Sequence, residues 1–218
     1  MITEVAERLI GRELCSEDGY TEEDVADAEA RLDVALPPAL RGLYLTIGKI
    51  KSLMDSFQHF AEPGELSIVN GKLCFLEENQ TVCFWGCDIG EDDPVVYQTD
   101  WVQDDDGNRF PKGEYYSEKV RLSEFLEIIL YYQMAQGGYR YCGNGGPDNC
   151  EEALPPEWEK IVEHHGLVIW WREDGLIWYF INSNGIAADD SCFYDIFLST
   201  RTETAFDELS AEYEFEEF

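Results

Sequence analysis

The chain of 218 residues carries 46 Asp and Glu against 15 Lys and Arg, a formal net charge of −31 with a sequence pI near 4.1. With 44% hydrophobic and 14% aromatic residues it can fill a core, which excludes disorder throughout. The shortage of Lys and Arg argues against nucleic acid and anionic membrane as partners, because both hold their binders by releasing counterions to basic side chains.

No apolar run approaches the roughly 18 residues that span a bilayer, and "MITEVAERLI" lacks the basic-then-apolar order of an export signal. Seven scattered cysteines without framework spacing suit reduced thiols. A soluble, cytoplasmic protein is the expectation.

In chain order, Val5 to Leu14 carries a weak helical stripe. "TEEDVADAEARL" then sets Thr21 three residues before Asp24, as in a capping box, and places Val25, Ala28 and Leu32 on one helix face. Pro37 and Pro38 suit a first helical turn, and Leu40, Leu43, Tyr44 and Ile47 continue at helical spacing to a stop at Gly48. From Leu66 the period changes to two. "LSIVN", "GKLCFLEE", "TVCFWGCD" and "PVVYQTDW" read as antiparallel strands broken at Asn70-Gly71, Glu78-Asn79 and Asp92-Asp93-Pro94, the first break being a type I′ hairpin signal. "RLSEFLEIILYYQMAQGG" reads as a helix with Leu122, Phe125, Leu126, Ile129 and Leu130 inward and Gly137-Gly138 at its end.

"GGYRYCGNGGPDNC" reads either as a linker between domains or as a long surface loop. Beyond it the expectation is a helix ("PPEWEKIVEHHG"), a hairpin ("LVIWWRE", Asp174-Gly175, "LIWYFINS"), a strand ("CFYDIFLS") and a helix opened by Thr202 ("TETAFDELSAEY"). The tail "EYEFEEF" could dock through Tyr213, Phe215 and Phe218 but reads as a frayed end. About 70 residues would make a marginal domain alone. The reading is therefore one α+β unit over 1–218, a mostly antiparallel sheet with N-terminal and interspersed helices packed on it, and 139–218 as its C-terminal extension.

The ordered set "ADAEARLDVALPPALRGLYLTIG", "LCFLEENQTVCFWG", "DPVVYQ" and "LSEFLEIILYYQMAQGG" resembles the SMI1/KNR4 family of the SUKH superfamily, over roughly residues 22 to 138. "LIWYFINSNG" and "FLSTRTETAFDEL" are similar to the extended C-terminal half of some members. The resemblance implies a SUKH-like fold and a protein that works by binding. Bacterial members are chiefly immunity proteins that neutralise the toxin of a polymorphic or contact-dependent system. Fungal members are regulatory scaffolds in cell-wall synthesis, and neither kind needs an active site. The chain departs from short members in its length and its second round of strand and helix.

The acids are unevenly placed. Residues 73 to 108 hold ten acids and no base, and residues 202 to 218 hold seven and none. Acidity can serve solubility alone, yet an acidic rim also competes for the cations of a basic, nucleic-acid-attacking toxin and is steered to them quickly. The candidate partner-binding residues are accordingly Asp88, Glu91, Asp92, Asp93, Asp100, Trp101, Asp104, Asp105 and Asp106, on two loops and the strand between them. Trp85, Tyr97 and Tyr115 join Trp101 as possible anchors. Each ring at strand spacing has core packing as its plainer reading.

Catalytic and metal signals are weak, and the expectation is a non-catalytic chain without cofactor or metal. His59, His164 and His165 are the available bases, but His164 and His165 would point about 100° apart on a helix and could not share one site face to face. Cys83-x3-Cys87 and Cys142-x7-Cys150 miss zinc-knuckle spacing, and Cys83 alternates with Trp85 as a buried strand residue does. "DWVQDDDGNRF" places Asp104, Asp106 and Gly107 like calcium-loop positions 3, 5 and 6, but Val102 and Gly113 occupy the positions that need acids. "GNGG" at 143 to 146 lacks a P-loop lysine, and no G-x-S-x-G occurs. Carboxylate pairs are too abundant to single out a carboxylate-using enzyme, which stands with the regulatory scaffold as an alternative.

Overall fold

The computed structural model describes residues 2–104, 106, 109–147, 149–173, 175–181 and 196–218. Among the described residues there are seven helices and thirteen strands in two antiparallel sheets, an α+β fold as expected. The chain forms two compact units, Met1–Gln133 and Met134–Phe218.

The first unit opens with α1 (Ile2–Ile10), α2 (Glu22–Leu32), α3 (Pro38–Ile47) and the single turn α4 (Lys51–Met54). The first stripe starts three residues earlier than expected and ends at Gly11, whose φ of 69° breaks the helix. Thr21 caps α2 through the anticipated box: its hydroxyl accepts from Asp24 N, and Asp24 accepts from Thr21 N. Pro38 opens α3, and Leu40, Leu43, Tyr44 and Ile47 are all buried.

Seven strands follow: β1 (His59–Phe60), β2 (Ser67–Val69), β3 (Lys72–Glu77), β4 (Cys83–Asp88), β5 (Val95–Gln103), β6 (Arg109–Pro111) and β7 (Tyr116–Arg121). They form one sheet in the order β1-β3-β4-β5-β6, with β2 also on β3 and β7 also on β5. Asn70 and Gly71, at φ 49° and 78°, close the β2–β3 hairpin as a type I′ turn with Val69 opposite Lys72. β1, β6 and β7 were not legible in sequence, being short or mostly polar. Helix α5 (Leu122–Gln133) buries its five predicted residues, and Phe125 meets Phe75 and Trp85 edge-on or tilted at 6.1 and 6.2 Å. Gln133, fully buried at its end, gives Nε2–H to Gln58 O (2.6 Å) and accepts from Gln58 N (2.7 Å). Gln58 Oε1 in turn accepts from Asn79 N (2.8 Å).

The second unit is a six-stranded sheet of β8 (Tyr141–Gly145), β9 (Glu159–His164), β10 (Leu167–Arg172), β11 (Gly175–Phe180), β12 (Phe197–Thr200) and β13 (Phe215–Glu217). The order is β13-β8-β12-β11-β10-β9, every pair antiparallel. Thr202 caps α7 (Glu203–Tyr213) as expected, and a short α6 (Cys150–Ala153) precedes β9. On one face Val168, Trp170, Ile177, Tyr179 and Leu198 pack with Phe206 and Leu209 of α7.

Three expectations for this unit are corrected. The glycine-rich stretch is no linker or surface loop: Tyr141–Gly145 is an interior strand between β12 and β13. Its Gly143 allows the approach, since a Cβ there would stand 2.4 Å from Glu216 O. The tail is not a frayed end, because Phe215–Glu217 pairs with β8 and the Phe215 ring is buried. The expected helix over "PPEWEKIVEHHG" is strand β9. Gly166, which resembles a helix stop, instead forms with His165 a two-residue turn that sets Leu167 opposite His164. Asp174 and residues 182–195, which include the start of "CFYDIFLS" and the end of "LIWYFINSNG", lie outside the described residues.

Among the described residues no helix is long and apolar enough to cross a membrane.

Candidate functional site: an aromatic groove beside the acidic strand

Strand β5 divides the predicted acidic residues into two groups. Its nine residues rise about 3.3 Å each, so the loop before it and the loop after it lie about 27 Å apart at opposite ends of the sheet. They do not make one patch.

At the first end, bases from outside the acidic segment reach in. Asp88, the last residue of β4, accepts from Lys72 Nζ at 2.6 Å, and that ammonium lies 3.9 Å from the Tyr97 ring centre and 5.6 Å from that of Tyr115. Glu91 stands 3.7 Å from Arg121, which also donates to Asp93 O. The Asp93 carboxylate accepts from Ser123 N (2.9 Å) and Ser123 Oγ (2.8 Å), serving as a cap at the start of α5. Asp92 is exposed in the turn.

At the second end, Asp100 is 3.5 Å from Lys112 Nζ, and Asp104 accepts from the backbone of exposed Asp106. Asp105, and Gly107 of the calcium-like spacing, lie outside the described residues. A run without bases along the chain is thus partly balanced in the fold: Lys72, Arg109, Lys112 and Arg121 reach Asp88, Glu77, Asp100 and Glu91, four of its ten acids.

Trp101, another of the predicted residues, lies in a concavity. Its ring lies 4.3 Å from that of Phe84, and the Arg109 guanidinium stands 4.9 Å from the ring centre while donating to Glu77 at 2.9 Å. Its indole Nε1 is buried without a hydrogen-bond partner among the described residues. With Phe60, Cys74, Phe84, Glu65 and Glu77 it lines a groove of about 310 Å³. Through His59, Phe60, Ala61 and Glu65 this groove shares its wall with a second of about 460 Å³, lined further by Tyr20, Lys49, Lys51, Asp55 and Glu62.

The shared wall is held firmly. Tyr44 Oη donates to Ala61 O at 2.7 Å, and Arg31 donates to Pro63 O and Leu66 O at 3.0 and 2.9 Å. The Gln58–Gln133 network fixes the chain just before His59. His59 Nδ1 lies 2.5 Å from Asp55 Oδ1. Burial, then the nearby Glu62, pushes the Tyr20 hydroxyl up to about 12, so it stays a neutral donor at physiological pH.

The other candidates are used differently. Trp85 donates to Glu118 at 2.7 Å and packs on Phe125, a core role. Cys83 is buried at its strand position, and burial pushes its thiol up to about 11 and those of Cys74 and Cys87 up to about 12. Such thiols are protonated near neutrality and are poor nucleophiles. His164 and His165 sit at a strand end and in a turn rather than on a helix, their rings 4.3 Å apart.

Of the groove, only Trp101 and His59 stood out in sequence. Phe60 and Phe84 carry no local signal, because they reach the groove through the pairing of β1 and β4 with β3, and Glu65 enters it from the turn before β2. Comparison of the chain with family models, with curated proteins and with solved structures returns no match.

Proposed function

We propose that the chain is a non-catalytic protein-binding module of the SMI1/KNR4 kind, an immunity protein that neutralises a cognate polymorphic or contact-dependent toxin in the cytoplasm. The groove around Trp101 carries this reading. It is an open aromatic concavity bordered by Glu65 and Glu77, in a unit with 28 acids against 11 bases. A partly buried indole flanked by charged side chains is the composition of an interface anchor, and the acidic surroundings speed encounter with a basic partner. Nucleic acid and membrane are poor partners for the same charge.

The test is co-expression with the toxin domain encoded beside this chain. A complex and survival of the host are expected, with Trp101→Ala weakening the complex by about thirtyfold or more. Absence of both complex and protection with every such neighbour would end the proposal.

One observation favours a competing reading. His59 paired with Asp55 beside Tyr20 and Glu62 has the makings of a general base in the larger groove. Turnover of a small compound that disappears in His59→Ala would replace the binding reading with an enzymatic one.

A further inference from the structure

The second unit has a slot of its own. Trp178, Phe180, Phe197 and Phe218 line about 350 Å³ on the sheet face opposite α7, with Cys142, Ser199, Ala135 and Gln136 completing it. The Trp178 and Phe197 rings stack at 4.4 Å, Phe180 stands perpendicular to Trp178 at 6.3 Å, and Phe218 meets Phe197 at 6.2 Å. Phe180 and Phe218 are 46% and 75% exposed, so two of the rings face solvent across the opening.

The chemistry of the lining selects the sign of a guest. Trp178 Nε1 donates to Ser199 Oγ (3.2 Å), Ser199 Oγ donates to Ala135 O (2.7 Å) and Cys142 Sγ turns to Ser199 (3.7 Å), so these three donors are turned to acceptors within the protein. Aromatic faces attract cations. The register places Glu216 opposite Asn144, Asn144 opposite Phe197 and Phe197 opposite Trp178, one row whose side chains share a face. Glu216 is therefore on the slot's face, as is Phe218 two residues on.

The unit's bases are engaged elsewhere: Lys160 with Glu151 and Glu163, Arg172 with Glu212, Arg201 at Glu173 O, and Arg140 over Tyr141. Eighteen acids against four bases make the whole unit negative.

We propose that this aromatic slot is a binding site for an arginine-bearing basic segment of a protein partner, the arginine lying along the rings with its guanidinium toward Glu216. The site is separate from the Trp101 groove and does not depend on the toxin reading. A planar guanidinium stacks on aromatic rings and takes a carboxylate in a fork, which a lysine ammonium cannot do.

The experiment titrates the full chain with a blocked hexa-arginine peptide and with hexa-lysine, following affinity by calorimetry and the Trp178 indole N–H by NMR. Expected are tighter binding of the arginine peptide, a shift of the Trp178 resonance, and about a tenfold loss in Phe218→Ala and in Glu216→Gln. Glu208→Gln, which neutralises an exposed acid on α7, should change affinity by less than about twofold. Equal losses in all three variants, an unmoved Trp178 signal, equal affinity for the two peptides, or no binding would each overturn the site. Phe218 is mostly exposed, and Glu216→Gln reports even if the aromatic variant perturbs β13.

Discussion

The two units build a sheet with one helix-covered face from opposite resources. In the first, amphipathic helices supply much of the buried surface, and the acids of the β4–β5 region are tied down by Lys72, Arg121, Lys112 and a cap. In the second, one long helix and the sheet's own aromatic residues make the core, and 18 acids face four bases. The contrast teaches that a base-free run in sequence overstates the unbalanced charge wherever the fold brings distant bases to it. Strand pairing and helix packing bring Lys72, Arg109, Lys112 and Arg121 to the run in the first unit. The second has too few cations to do the same.

The sharpest way to break the comparison is at Gly143, where the second unit depends on backbone proximity. Gly143→Val would drive a side chain into Glu216 O and the Phe206 ring. We expect a loss of about 3 kcal/mol or more, with fast amide exchange over Phe215–Glu217 and little change in exchange across β3–β5. Protection of β13 equal to wild type would contradict this.

The matching dependence in the first unit is on Gln133. Gln133→Leu leaves Gln58 N and O buried without partners and should cost about 2–3 kcal/mol by denaturant unfolding, loosening β1 beside the groove. The second unit should be unaffected in exchange.

Acid exposes a further asymmetry. In the first unit Arg12, gripping Asp18 through both carboxylate oxygens, together with Cys15 N holds that carboxyl well below the usual range. Because the folded pKa is depressed, this stabilisation is fully present above the ordinary carboxylate pKa of about 3.9 and is lost as pH falls through the folded value. Asp18→Asn should therefore be less stable than wild type at neutral pH and converge with it in strong acid. A constant gap across pH 2 to 7 would rule the linkage out.

The smallest effects should be equal between units. Asp93→Ala removes the cap of α5 and Thr202→Ala that of α7, each expected to cost about 1 kcal/mol in thermal unfolding. A clear inequality would show that one cap is coupled to its surroundings.

Features encoded within a few residues were legible. The Thr21 box, the Pro38 start, the Asn70-Gly71 turn and the inward face of α5 each depend on local sterics or a single periodicity. What was misread depends on distant partners. "YCGNG" has the composition of a loop and becomes a strand because β12 and β13 supply its hydrogen bonds. "EKIVEH" has helix formers and a glycine after it, yet pairs with β10 across a turn. Trp101 could be named as a candidate, whereas Phe60 and Phe84 reach it only through strand order.

By itself the sequence determined the α+β class, the positions of the capped helices, the first antiparallel hairpins and the sign of the charge, all consequences of residue type and short-range spacing. Tertiary structure alone decided which glycine-rich and acidic segments become strands, which acids are neutralised and which rings share a groove. These outcomes follow from hydrogen bonds and ion pairs closed between residues far apart in the chain, which no local pattern specifies.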